Sequence, residues 1–179
     1  MFEQQRRKFG ITLTRFFSRQ RDAKPMSFSN SFSNAKTAVV IIPENPEQRS
    51  VVAQTIILLQ NKFQGNKLTL VVSEGNRSFA NTINRSNVTT IKNDHLNYFF
   101  LPRKNDISPL LNQRFDLLVD LNLSLVPFSA YLCRHINAPL KVGFAQDHAD
   151  VYYNFQFNAA PNRNLKMRYE QLFRTLSMF

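Results

Sequence analysis

The sequence predicts an α/β fold: a three-layer Rossmann-like sandwich with a mostly parallel sheet, preceded by a basic N-terminal tail. Short apolar runs (AVVII, KLTLVV, FDLLVDL, LKVGF) alternate with stretches of helical periodicity along the chain, which is the pattern of repeated βαβ units. The runs are apolar throughout instead of alternating, as expected of strands buried on both faces. The first 36 residues have a different composition from the rest.

Each element has its own signal. Residues 38–42 (AVVII) form a buried strand that ends at Pro43. From Glu47 the period becomes helical, with Val52, Ile56, Leu59 and Phe63 on one face, and Gly65 stops the helix. Residues 67–72 (KLTLVV) are the second strand, and residues 73–84 a loop and helix. Residues 88–91 are extended, residues 98–101 a strand or packed loop, and residues 106–113 a short helix. Residues 115–121 (FDLLVDL) are the clearest strand, with Asp120 and Asn122 at its carboxyl end. Phe128, Tyr131, Leu132, His135 and Ile136 share a helical face before the strand at 140–144. A last strand at 154–157 precedes a helix carrying Leu165, Tyr169, Leu172, Phe173 and Leu176.

The chain has 179 residues with 23 Lys+Arg against 12 Asp+Glu, a formal charge of +11. Residues 1–36 hold eight basic and two acidic side chains, so the tail carries more than its share of the charge. The Ser/Asn-rich stretch SFSNSFSN closes it, and the domain is read as 37–179. Phe2, Phe9, Leu13, Phe16 and Phe17 recur among arginines, a spacing that suits an amphipathic helix on an anionic bilayer or in a partner's groove. The same segment also reads as a solvated, flexible terminus. A single cysteine, Cys133, excludes an intramolecular disulfide and any cysteine-cluster metal site. No apolar run is long enough to span a membrane.

The chemistry-bearing motifs are few. With four glycines in the chain, no glycine-rich phosphate loop follows the first strand, and no cofactor or metal is expected. Ligands of open α/β sheets bind beyond the carboxyl ends of the strands. The loop there reads PENPEQRS, so Glu44 and Glu47 are the candidate catalytic bases and Arg49 the candidate anion ligand. The competing reading is helix capping, since acids suit a helix's first turn. Asp120 and Asn122 are candidate ligand-binding residues at the next strand end, or caps of the following helix. His148, between Asp147 and Asp150, reads as a solvated turn.

The ordered set AVVII, amphipathic helix, KLTLVV, FDLLVDLN, HINAPL and KVGF resembles the N-terminal, acceptor-side domain of family 9 glycosyltransferases of the lipopolysaccharide heptosyltransferase type. Asp116, Asp120, Leu121, Lys141, Val142, Gly143 and Phe144 are the matching positions. The family's Gly-Asp pair after the first strand, whose aspartate is taken as the base, is missing here. So is room for a second, donor-binding domain. The single-domain layout with a basic tail is also similar to a group of small bacterial proteins of unknown function. The resemblance implies the fold, and with the missing Gly-Asp pair and donor domain the chain reads as a glycosyltransferase-like module, non-catalytic alone, cytoplasmic or peripheral to the inner membrane. Its expected partners are an anionic membrane surface, another protein chain or a second copy. Two other readings stay open: a subunit of a two-chain glycosyltransferase using a nucleotide-sugar donor, and a nucleic-acid-binding basic protein.

Overall fold

The computed structural model describes residues 2–16, 27–82, 87–158 and 164–179. Six strands form one sheet: β1 (Ala38–Ile41), β2 (Leu68–Ser73), β3 (Asn87–Ile91), β4 (Leu117–Asp120), β5 (Leu140–Phe144) and β6 (Phe155–Phe157). The order is β3-β2-β1-β4-β5-β6, and every pairing is parallel. Strand order reverses between β1 and β4, so a crevice opens at their carboxyl ends.

Successive side chains of a strand point to opposite faces, and β1 divides its residues accordingly. Ala38 and Val40, with Ile42 just beyond the strand, enter one core with Ile56, Leu59, Tyr169 and Leu172. Val39 and Ile41 enter the other with Phe128, Leu132, Tyr152 and Tyr153. Helices α3 (Pro46–Lys62) and α7 (Leu165–Ser177) cover the first face, and α6 (Pro127–His135) lies on the second. Between them come two short helices, α4 (Arg77–Thr82) and α5 (Ser108–Leu111). The helix after β1 starts where its chemistry requires. Asn45 caps it by accepting from the Glu47 N–H at 2.8 Å, and Pro46 takes the first position.

The basic N-terminal segment contributes two helices, α1 (Phe2–Phe16) and α2 (Phe28–Asn34). Phe28 and Phe32, one helical turn apart, turn the Ser/Asn-rich stretch into a docking face. Phe28 stacks on Phe155 at 3.9 Å between centroids, and Phe32 is buried. In α1 the buried residues are Gly10 and Thr14, while Phe2, Phe9 and Phe16 are exposed. The helix forms, but the phenylalanine stripe is not its packed face. A Cβ at position 10 would lie 2.3 Å from the Phe99 carbonyl oxygen, so glycine permits that close approach. Thr14 Oγ1 and Tyr152 Oη share a hydrogen bond of 2.7 Å across the joint. Phe17, the last member of the predicted stripe, lies outside the described residues. Of the two readings of residues 98–101, the structure has the loop, formed as a turn. No helix among the described residues is long and apolar enough to cross a membrane.

Asp116 ties the start of β1 to β4. Its Oδ2 accepts from the N–H groups of Lys36 (2.9 Å) and Thr37 (3.0 Å) and from the Thr37 hydroxyl (3.1 Å). Burial pushes this carboxyl up, but these bonds and nearby Arg114 outweigh it and hold it below its usual range. Its stabilisation is therefore complete above the ordinary carboxylate value of about 4 and is lost as pH falls through the lowered native one. In urea unfolding, Asp116→Asn should cost about 1–2 kcal/mol at neutral pH. The gap from wild type should narrow below about pH 4; a gap independent of pH would contradict this role.

Candidate functional site

The crevice between β1 and β4 is built around Asp120, the last residue of β4, which is 1% exposed. Asn122 donates its backbone N–H (3.0 Å) and side-chain N–H (2.7 Å) to Asp120 Oδ1. Ser129 from α6 and Tyr153 from the β5–β6 connection each donate a hydroxyl to Oδ2 at 2.7 Å. The Cys133 thiol lies 3.8 Å from the same oxygen. Burial pushes the Asp120 carboxyl above its ordinary value, against these hydrogen bonds. Burial first, and then the Asp120 charge, raise Tyr153 and Cys133 well above theirs. Both oxygens of Asp120 thus face protein donors. The Asn122 side chain also accepts the Glu44 N–H at 3.0 Å, joining the β1 and β4 loops.

The residues of the KVGF strand support this centre. A Cβ on Gly143 would lie 2.4 Å from the Tyr153 ring. Glycine there lets the ring cross β5 and deliver its hydroxyl to Asp120. Lys141, 8% exposed, sends its ammonium to the Cys133 and Ile136 carbonyls at the end of α6, where a cation suits the helix dipole.

Glu44 lies at the mouth of the crevice. Its carboxylate accepts two hydrogen bonds from Arg7 of α1, from Nη1 at 2.8 Å and Nη2 at 3.2 Å. Arg7 also donates Nε to Glu3 at 3.0 Å and lies over the Phe100 ring at 4.4 Å. Burial opposes the charge on Arg7, but Glu44 and Glu3 more than offset it and raise its pKa. Phe100 adopts a left-handed φ of 61° within a turn that Asn97 Oδ1 holds by accepting from the N–H groups of Phe99 and Leu101. Glu47 is exposed in the first turn of α3. Arg49 is half-buried, and its Nε is buried with no hydrogen-bond partner.

Asp120, Asn122 and the backbone of Glu44 therefore meet in one hydrogen-bonded unit. Glu47 and Arg49 belong to the adjoining first turns of α3. Sequence reasoning missed Arg7, Ser129 and Tyr153. Gly143, a glycine inside a strand, was the available signal for Tyr153; nothing local signals Arg7. His148 is exposed with a left-handed φ of 60°. Among the described residues no group of three or more His, Cys, Asp or Glu is placed to hold a metal ion.

Residues 12–179 match the model of a family described as a family of unknown function (DUF6913). The chain belongs to that family. No curated protein matches it at a significant level. Its DUF6913 fold is shared with solved structures of an E. coli enzyme. The heptosyltransferase WaaC with ADP superposes with a TM-score of 0.59 at 19% identity, over 78% of this chain and 46% of that one. WaaC with ADP-2-deoxy-2-fluoro heptose gives 0.59 at 18% identity, over 80% and 49%. This chain thus matches about half the length of those neighbours, and at such identity the likeness is one of fold: a Rossmann-like α/β domain.

Proposed function

We propose that this protein is a glycosyltransferase-like binding module, non-catalytic by itself, that works with a partner chain beside the cytoplasmic face of a membrane. The observation that carries the reading is the two-pronged bond from Arg7 to Glu44. A general base must be free to reach a proton on its substrate, and Glu44 instead holds a guanidinium from its own chain. Among the described residues, the other acid in the crevice network, Asp120, is buried and faces internal donors. Arg49, half-buried near the start of α3, is the basic side chain beside the crevice that suits an anionic ligand such as a sugar phosphate.

The test is turnover of nucleotide sugars by the purified full chain, alongside Arg7→Ala, which frees Glu44, and Glu47→Gln. No product above the enzyme-free rate is expected from any of the three. Turnover by the wild type or by Arg7→Ala would overturn the reading, and its loss in Glu47→Gln would identify Glu47 as the base of an active enzyme.

A further inference from the structure

Helix α1 is docked by one side only. Gly10 and Thr14 face the body of the protein, and Arg7 reaches from the same side to Glu44. Phe2, Phe9 and Phe16 follow one another at seven-residue intervals. Two helical turns bring each ring to nearly the same angle, about 10 Å further along the axis. They form a straight ridge, and its ends are bare: Phe2 and Phe16 are each 81% exposed. Tyr98, 65% exposed, extends the ridge beside Phe9 through Phe99, whose ring centroid is 4.8 Å from that of Phe9. Isolated exposed apolar residues are ordinary, but a row of large aromatics on one rim is a contact surface.

The charges around the ridge identify what it contacts. Arg6 lies 3.7 Å over the Tyr98 ring. Among the described residues, Lys8 and Arg15 lie along the helix beside the phenylalanines and form no ion pair, and the exposed Arg103 and Lys104 follow the Tyr98 turn, also without an ion pair. Among the described residues, the acids that pair with α1, Glu3 and Glu44, are both spent on Arg7. Two copies meeting through this ridge would set like charges against each other. Aromatic side chains projecting from one side of a helix, fringed by cations, suit the boundary of an anionic bilayer, where rings enter the acyl region and cations meet phosphates.

We infer that the ridge of Phe2, Phe9, Phe16 and Tyr98 inserts into anionic phospholipid membranes, with Lys8 and Arg15 contacting the headgroups, so that α1 seats the folded domain on the bilayer. The inference rests on the membrane-side placement proposed above, but not on the absence of catalysis: nucleotide-sugar turnover would leave it standing.

The test is co-sedimentation of the full chain with phosphatidylcholine vesicles, with and without phosphatidylglycerol. Wild type should bind the anionic vesicles at least about tenfold more tightly than the neutral ones, and salt should weaken the binding. Phe2→Ser/Phe16→Ser should lower that affinity by about tenfold or more with an unchanged melting temperature, because neither ring is in the core. Lys8→Glu/Arg15→Glu should remove the preference for anionic lipid. Failure of the wild type to sediment, or undiminished binding by the double Phe variant, would overturn the inference. A wild-type dimer that this variant dissociates, without vesicle binding, would instead make the ridge a self-association surface.

Discussion

Asp120→Ala is expected to destabilise the protein by about 3–5 kcal/mol, the range for leaving several buried hydrogen-bond donors unpaired at once. The carboxylate receives donors from the β4 loop, from α6 and from the β5–β6 connection. Its removal strands Asn122, Ser129 and Tyr153 in a site that water does not reach. For a chain of this length such a loss lowers the melting temperature by about 10 °C or more. Asp120→Asn should cost far less, because an amide keeps an acceptor for Asn122 and offers a donor to hydroxyls that can rotate. Equal losses in the two variants would show that an amide of the same volume cannot replace the carboxylate's acceptors. Thermal and urea unfolding of both proteins distinguishes these outcomes.

The second large effect is expected from the smallest change in the strand, Gly143→Ala. The added methyl would overlap the Tyr153 ring at 2.4 Å, well inside contact distance. The ring cannot retreat without giving up its 2.7 Å hydrogen bond to Asp120. We expect a loss of about 3 kcal/mol, at the upper end of overpacking. Tyr153→Ala should itself cost about 3–5 kcal/mol, as for other large aromatic truncations. Because both act through one contact, the double variant should be little worse than Tyr153→Ala alone, giving a coupling of about 1–3 kcal/mol. Full additivity would mean that position 143 is constrained by something other than Tyr153. Both experiments bear on the resemblance to glycosyltransferases: they treat its aspartate and glycine as parts of one structural joint.

That joint shows which parts of the site were legible in the sequence. Asp120 and Asn122 stand out because they end an otherwise apolar run, and the carboxyl end of a parallel strand is where polar residues collect. The sequence leaves open whether they face a ligand or the interior; donors from distant elements turn them inward. Glu44 is legible as an acid after the first strand. Its partner Arg7 is not, because the two are brought together by the docking of α1, through Gly10 against Phe99 and Thr14 against Tyr152. The SFSNSFSN stretch misleads by composition: its serines and asparagines read as the end of the tail, while two phenylalanines one turn apart are enough to dock it.

The sequence by itself determined the layers. Apolar runs that do not alternate must be covered on both faces, and helical periods between them supply the cover, so a parallel α/β sandwich follows from local pattern and burial. Only the tertiary structure decided the use of the polar residues. A hydrogen bond or ion pair between residues such as Arg7 and Glu44 depends on how helices seat on a sheet. Periodicity records which face of a helix is apolar, but not which side chain waits opposite it.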